Sequence, residues 1–304
     1  MYRWVNSLKK HAVTTQLIQI GNVRSFLKFL IEAELPQVKV PKKHLHGTLF
    51  SLQSLAKIAR QELQTHRQAV RLKKSSILVN PANITAFINK ANKGIPLALS
   101  TLEREKSREA LEHVYGLLSG FIACITGHRK GVITNLKVEE FAQAEEDELG
   151  RRIIRVKDHK TKESFGHALI PLMKIEYMWF YRLMYNRHKY PCGKSDLVFS
   201  NSNGGPFNDI LTSFQDCWES FGLPGRSTFS LIRSSISTCV GRSVEESKRG
   251  NIRRLMCHST ATAEKFYEAD LGFSEAFQTH SQCTCKHLQK QMQDLQEHRE
   301  NRPC

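Results

Sequence analysis

Apolar residues recur every three or four positions through two long stretches of the first hundred residues, 13–30 and 49–72. This spacing places them on one face of an α-helix. Gly21 interrupts the first stretch, and Gln, Lys and Arg occupy the polar face of the second. A third helical stretch begins at Pro81, because proline is tolerated in the first turn of a helix. The sequence therefore predicts an all-helical N-terminal region.

A linker candidate follows this region. Asparagine, glycine and proline lie close together at positions 92–96, and such residues punctuate regular structure. The sequence Ser-Thr-Leu-Glu at 100–103 then matches a capping box, in which the serine and glutamate satisfy free backbone N–H groups. It predicts the start of a long helix that runs to about Cys124. We therefore place a domain boundary near residue 98.

Two short β-strands are predicted in the middle of the chain. Residues 152–157 and 167–171 have the composition of strands, and the polar segment between them is short enough for a hairpin. Beyond residue 175 the spacing is again mainly helical, with a turn-rich break at 201–206. The predicted fold class is mainly α with a small β-sheet (α+β). It divides into three parts: residues 1–98, 99–280 and a polar tail at 281–304.

Positive charge is concentrated at the front of the chain. The protein has 304 residues, 45 Lys and Arg, 29 Asp and Glu, and a formal charge of +16. Residues 1–98 contain 16 basic and three acidic residues, a net +13, whereas the other 206 carry only +3. This imbalance indicates a polyanionic partner, most simply nucleic acid, with an anionic membrane surface as the alternative.

The apolar content argues against membrane insertion or secretion. The longest mainly apolar stretch, 116–127, is too short to span a bilayer. No apolar core with a small-residue cleavage site follows the first charges, so no signal peptide is predicted. The eight cysteines have no framework spacing. We therefore expect a reduced protein that is nuclear or otherwise intracellular, not secreted, and not bound to a membrane.

Signals for cofactor or metal chemistry are weak. The sequence contains no glycine-rich phosphate loop, no paired CxxC motif and no HExxH motif. Cys283, Cys285 and His287 are too few and too close for a four-ligand zinc site without a further ligand. No metal and no small-molecule cofactor are therefore expected.

One ordered series of residues is more specific. Arg129 follows the predicted long helix, Lys160 lies in the connection of the predicted hairpin, and Arg233 lies in a later helical segment. His258 and Tyr267 follow, nine positions apart. Each residue alone has an ordinary structural explanation, as a surface charge or a half-buried aromatic. The order and the structural context together are demanding.

This series resembles the pattern of the tyrosine recombinase (phage integrase-like) family over roughly residues 100–275. The His-Lys-Thr sequence at 159–161 is similar to that of recombinases from eukaryotic mobile elements and their host-captured copies. The resemblance implies an integrase-like catalytic domain preceded by a helical DNA-binding domain. It implies cleavage and religation of DNA, as in DNA recombination and DNA integration, and double-stranded DNA as the partner.

The resemblance implies catalytic roles for the residues that match the family pattern. Two guanidiniums, Arg129 and Arg233, would each fork to phosphate oxygens as negative charge develops. Tyr267 would be the nucleophile that forms a 3′-phosphotyrosyl link, which conserves the bond energy for religation. Lys160 would protonate the leaving 5′-oxygen as general acid, with Lys162 as its rival in the same connection.

The same family pattern gives His258 a role and shows where this sequence differs from the family. The resemblance implies that His258 hydrogen-bonds the phosphate. Ser230 occupies the place of the usual histidine three residues before Arg233, and a hydroxyl is no general base near neutral pH. Val132 replaces the acidic residue that usually follows the first arginine, and Cys257 replaces a glycine.

Three functions remain open from the sequence. An active recombinase is favoured by the retained arginines and Tyr267. A captured, catalytically impaired recombinase that acts as a DNA-binding protein is favoured by Ser230 and Val132. A basic helical module that binds RNA or protein would require the pattern to be coincidental. Family C-terminal helices dock on neighbouring subunits, so self-association on DNA through an apolar face at 288–295 is expected, with a solvated tail as the alternative.

Overall fold

The computed structural model describes residues 2–257, and the chain divides into two compact units, Met1–Ser76 and Ile77–Cys304. The domain boundary predicted near residue 98 does not coincide with this division. Position 98 lies inside helix α4, Pro81–Glu105, whose buried face belongs to the core of the second unit. The polar tail predicted at 281–304 lies outside the described residues.

Three helices form the described part of the first unit: α1 (Tyr2–Leu8), α2 (Val13–Ala33) and α3 (Lys42–Ile77). Gly21 does not interrupt α2, although we predicted a break there. A small apolar cluster joins the three helices, formed by Leu8, Ile20, Leu27, Leu45, Leu52 and Ala56. The predicted all-helical N-terminal region is thus confirmed for these residues.

The helix α4 begins as its sequence predicts. The Asn80 side chain accepts a hydrogen bond from the backbone N–H of Ala82, and Pro81 occupies the first turn. The linker predicted at 92–96 is wrong, because Pro96 lies within the helix. A proline in a helix interior costs about 3 kcal/mol. The burial of apolar residues such as Ile95 and Leu99 offsets that cost here.

The next helix starts later than predicted. The capping-box sequence at 100–103 lies within α4, and α5 (Arg108–Thr126) is instead capped by Ser107, whose hydroxyl accepts from the N–H of Ala110. Most of α5 is buried, and α4, α10 (Ile210–Ser220) and α11 (Phe229–Ser243) pack around it. A Cβ on Gly116 would lie 2.3 Å from the carbonyl oxygen of Ser213, so glycine allows α5 and α10 to approach closely.

The predicted hairpin is confirmed. Strand β2 (Arg152–Val156) pairs antiparallel with β3 (Ala168–Leu172), with Val156 opposite Ala168, and β1 (Glu145–Glu146) adds a short edge. The connection from β2 to β3 contains one helical turn, α8 (Lys162–Phe165). The inward side chains of β2 and β3 alternate with exposed ones, which buries one face of the sheet against the helices.

The remaining described elements are short helices: α6 (Lys130–Thr134), α7 (Val138–Ala142), α9 (Lys174–Tyr185), a 3₁₀ turn (Arg187–Lys189) and α12 (Glu246–Leu255). The turn predicted at 201–206 is present and is closed by a bridge between Ser200 and Pro206. The predicted fold class, mainly α with a small antiparallel sheet, is confirmed.

Candidate active site

A sharp turn at the end of α5 organises the site. Gly127 adopts a left-handed conformation (φ +66°), and its N–H closes the helix on the carbonyl of Ala123. A Cβ at this position would lie 2.6 Å from Cε of Met256, so the turn also lies against the end of α12. Glycine therefore satisfies both the backbone conformation and the close contact.

Arg233 is anchored directly on this turn. Its side chain extends from α11, is 1% exposed, and donates a hydrogen bond from Nη1 to the carbonyl oxygen of Gly127 at 2.7 Å. A hydrogen bond to a charged group contributes about 1.5–3 kcal/mol. The bond fixes the guanidinium relative to α5 without neutralising its charge, because a carbonyl carries a dipole and no net charge.

Arg129 lies two residues after Gly127, at the start of α6, and is partly exposed. Its Nη1 donates to the hydroxyl of Thr161 in the connection from β2 to β3, at 3.3 Å. The first arginine is thereby linked to the hairpin segment that carries Lys160. The positive charges of Arg129 and Arg233 both act on the pKa values of His128 and Cys257.

His128, between Gly127 and Arg129, is fully buried. Its Nε2 lies 2.8 Å from the carbonyl oxygen of Leu169 in β3, so this nitrogen carries the proton and donates it. The pKa of His128 is lowered to about 4, chiefly by burial; the bond to Leu169 opposes this shift, and the nearby Arg233, His159 and Arg129 add to it. An imidazole that is this deeply buried and has so low a pKa is a weak base, so His128 is a poor substitute for the histidine expected at position 230.

The two lysines of the connection differ in their surroundings. Lys160 is exposed, between buried His159 and partly exposed Thr161, and among residues 2–257 its ammonium has no ion-pair or hydrogen-bond partner. Lys162 contacts the carboxylate of Asp158, with Nζ and Oδ1 3.4 Å apart. The main chain of the loop is fixed by the side chain of Asn135, which donates to the carbonyl of Asp158 at 3.0 Å.

The described chain ends beside the arginine cluster. Cys257 is buried, has a left-handed φ of +51°, and follows Met256, the residue that touches Gly127. Burial raises the pKa of the Cys257 thiol, and the positive charges of Arg233 and Arg129 oppose that rise. The residue before His258 therefore lies within electrostatic range of both guanidiniums. His258 and Tyr267 themselves lie outside the described residues.

The two departures from the expected pattern occupy different environments. Ser230 is exposed in the first turn of α11, one turn before Arg233, and within the described chain its hydroxyl makes no hydrogen bond. Val132 is buried in the main apolar core, where a carboxylate would need a partner. Elsewhere in the site, the Gly127 carbonyl accepts from Arg233 and the Thr161 hydroxyl accepts from Arg129.

Sequence reasoning assigned no role to four residues of this cluster: Gly127, His128, His159 and Thr161. They lie in the sequences Thr-Gly-His-Arg at 126–129 and Asp-His-Lys-Thr at 158–161. Both motifs place a histidine next to a cation. A histidine beside a cation is ordinary in sequence, and only the fold shows that both imidazoles are buried.

Two further findings concern partners of other kinds. Within residues 2–257, no group of three or more His, Cys, Asp or Glu side chains is arranged to hold a metal ion. The motif at 283–287 lies outside that range. None of the helices in the described range combines the length and the apolar character needed to cross a membrane.

The described structure thus defines a mainly α protein in which two arginines, a hairpin lysine and the chain leading to His258 lie around one helix end. No protein-family model matches the sequence, and no curated protein gives a significant match. Similarity to solved structures is low. XerA recombinase aligns at 16% identity and a TM-score of 0.43, over 92% of this chain and 81% of that chain.

Two DNA complexes are similar at the same level. XerH site-specific recombinase bound to difH substrate, before cleavage, aligns at 15% identity and a TM-score of 0.45, over 67% of this chain and 53% of that one. The Tn1549 transposon integrase in complex with circular intermediate DNA aligns at 15% identity and a TM-score of 0.40, over 86% and 84%. Similarity of this degree assigns neither a family nor an activity to this chain.

Proposed function

We propose that this protein is a tyrosine recombinase-like enzyme that cleaves and religates duplex DNA. One observation carries the proposal: Arg233 is bonded to the Gly127 carbonyl, and Arg129, two residues away, is bonded to the hairpin connection that contains Lys160. These two bonds connect Arg233, Arg129 and the connection that contains Lys160 to one turn, although the three are far apart in sequence. Met256, two residues before His258, lies against Gly127 at the same turn.

The residue types supply each part of a transesterification. Arg129 and Arg233 would stabilise the non-bridging phosphate oxygens as charge accumulates on them. The Tyr267 oxygen would attack phosphorus and release its phenolic proton to water while the bond to the 5′-oxygen breaks, and Lys160 would give its own proton to that oxygen. Religation is the reverse, in which the 5′-hydroxyl displaces Tyr267. His258 would hydrogen-bond the phosphate.

Lys160 is a better candidate than Lys162 for the general acid. Its exposed ammonium lies next in sequence to Thr161, which Arg129 contacts. Lys162 is instead engaged by the carboxylate of Asp158, with Nζ and Oδ1 3.4 Å apart.

The first unit is suited to hold the DNA backbone. Residues 1–76 contain 14 Lys and Arg against three acids, a net +11. Exposed basic residues also lie along α3, outside its buried apolar stripe. We name this the α3 basic face: Lys43, Lys57, Arg60 and Arg67. Contacts of this kind go to phosphates and give little sequence preference.

We further propose a nuclear location and an origin among the recombinases of eukaryotic mobile elements. The His-Lys-Thr sequence of the hairpin supports the origin, and DNA as the proposed substrate supports the location. Self-association on DNA, through the segment at 288–295, belongs to the same proposal.

A covalent trapping assay tests the activity. Nicked duplexes that lose the 5′-product after cleavage are incubated with the full chain, and a DNA-linked band is sought after denaturation. We expect an adduct with the wild type, none with Tyr267→Phe, and an undiminished adduct with Tyr185→Phe, which removes the hydroxyl of an exposed tyrosine on α9. No adduct from a broad DNA library would contradict the activity.

A second function is favoured by one observation, the exposed and unbonded hydroxyl of Ser230 where a histidine is expected. A protein with this site could bind DNA without cutting it, as a captured recombinase. The same assay separates the two functions. Salt-dependent DNA binding without any adduct would support the binding protein, and an adduct dependent on Tyr267 would support the enzyme.

A further inference from the structure

A chain of hydrogen bonds connects Arg129 to the interior of the hairpin connection. Arg129 Nη1 donates to Oγ1 of Thr161 at 3.3 Å, and this oxygen lies 3.4 Å from Nδ1 of His159. On its other side, His159 Nε2 lies 2.8 Å from the carbonyl oxygen of Gly166. The chain thus spans both ends of the connection between β2 and β3 and terminates at Arg129.

The chemistry of the end groups fixes the direction of this chain. A carbonyl oxygen only accepts, so Nε2 of His159 carries a proton and donates to Gly166. In the neutral imidazole Nδ1 is then an acceptor, and the hydroxyl of Thr161 donates to it. The lone pairs of Oγ1 remain available to the Arg129 guanidinium, which can only donate.

The surroundings hold these groups in place. His159 is 5% exposed, so its ring cannot rotate freely into solvent. Thr161 is partly exposed and bonds on both sides. Lys160 lies between them in the chain, so its backbone position is set by two fixed neighbours while its side chain stays in solvent.

We propose that Thr161 and His159 are positioning residues of the active site. Thr161 orients the Arg129 guanidinium toward the phosphate, and His159 orients the hydroxyl of Thr161 by accepting its proton. The same chain fixes the segment that presents Lys160. This inference rests on the proposed strand-transfer function, in which Arg129 stabilises the phosphate and Lys160 protonates the leaving group.

The first test uses single-turnover cleavage with two substitutions at one position. Thr161→Val keeps the shape of the side chain and removes the acceptor, whereas Thr161→Ser keeps the hydroxyl. We expect Thr161→Val to slow cleavage by up to about 100-fold, since misplacement of a catalytic group costs that much. Thr161→Ser should stay within about threefold of the wild type if the hydroxyl is what matters. Equal rates for all three proteins would overturn the proposal.

A second substrate identifies the group through which Thr161 acts. A 5′-bridging phosphorothiolate has a sulfur leaving group that departs without protonation, so it restores variants that lack the general acid. Lys160→Ala should recover on this substrate. Thr161→Val should recover only partly on it, because this substrate bypasses Lys160 but does not restore the orientation of Arg129. Full recovery of Thr161→Val would contradict the assignment to Arg129.

A third measurement needs no cleavage, so it separates failure of this inference from failure of the proposed function. Imidazole ¹⁵N spectra of the intact protein report which ring nitrogen carries the proton, and His159→Gln assigns the signal. We expect a proton on Nε2 and a bare Nδ1 in His159. A proton on Nδ1 would reverse the chain and overturn the proposal, whether or not the protein cuts DNA.

Discussion

The guanidinium of Arg233 and the carbonyl oxygen of Gly127, 106 positions apart in sequence, are joined by a 2.7 Å hydrogen bond. The bond ties α11 to the C-terminal end of α5 at the point where the chain turns toward Arg129. A neutral acceptor fixes the direction of the guanidinium and leaves its positive charge in place. The turn at Gly127 therefore holds Arg233 and leads directly to Arg129.

Replacement of Gly127 by alanine should destabilise the protein. The left-handed conformation costs a residue with a Cβ about 1–2 kcal/mol. The added methyl would also meet Cε of Met256 at 2.6 Å. We expect the free energy of unfolding in urea to fall by about 2 kcal/mol, the upper end of that range.

Gly222→Ala is the matched control. Gly222 has a similar positive φ (+65°), but nothing lies within 4 Å of its added Cβ. It should show the conformational cost alone, and so a smaller loss than Gly127→Ala. Equal losses for the two variants would mean that the contact with Met256 has no energetic weight.

Stability should fall in mild acid because of His128. The pKa of this imidazole drops from 6.5 to about 4 in the folded protein, so between these values the unfolded chain binds a proton that the folded one does not. Its contribution is therefore complete above pH 6.5 and is lost as the pH falls toward 4. The shift corresponds to about 3 kcal/mol.

His128→Leu should remove most of this pH dependence in urea unfolding measured at pH 7.5, 5.5 and 4.5. His113, whose pKa is also lowered by burial, contributes part of what remains. His188→Leu, at an exposed position, should leave the dependence unchanged. An unaltered pH profile in His128→Leu would contradict the buried neutral state.

Lys160 and Lys162 should differ in catalysis although they are two residues apart. We expect Lys160→Ala to slow cleavage of ordinary DNA by about 10²–10⁴-fold, the usual contribution of a general acid. Lys162→Ala, which removes the partner of Asp158, should cleave within about threefold of the wild type, because surface ion pairs contribute little. Single-turnover cleavage compares them directly, and the opposite ranking would assign the general acid to Lys162.

The α3 basic face should account for part of the salt dependence of DNA binding. Each lost phosphate contact lowers the slope of log K against log salt by about 0.9. The double variant Lys57→Gln/Arg60→Gln should therefore reduce the slope by roughly 2. Fluorescence anisotropy at several salt concentrations measures it.

The matched control removes two charges elsewhere in the same unit. Lys9→Gln/Lys10→Gln alters exposed residues beyond α1 and leaves α3 untouched. Its slope should change by less than half as much. Equal changes in the two double variants would indicate that net charge matters and the α3 basic face does not.

Local patterns predicted the helices and the hairpin well, because apolar periodicity and strand composition report directly on which face is buried. Pro96 and the capping box at 100–103 misled the prediction of the boundary. Their local preferences were outweighed by the burial of the α4 face on α5, which depends on residues distant in sequence. Tertiary packing of this kind leaves no local signal.

The candidate site, like the fold, could be predicted from the sequence only in part. Arg129, Lys160 and Arg233 were identifiable from their order, because their chemistry requires charged side chains at suitable places in the fold. The partners that hold them, the Gly127 carbonyl and the Thr161 hydroxyl, were not identifiable. A backbone carbonyl is present at every residue, and a threonine beside a lysine has no distinctive spacing.

The most direct test of the account is the chemical identity of the DNA-linked residue. After trapping, nuclease trimming and tryptic digestion, mass spectrometry should find the nucleotide on the peptide 266–286, in which Tyr267 is the one tyrosine. If Tyr267 is the nucleophile, we predict a phosphotyrosyl link at this residue that is absent from Tyr267→Phe. A link at another residue, or none on any DNA that the protein binds, would contradict it.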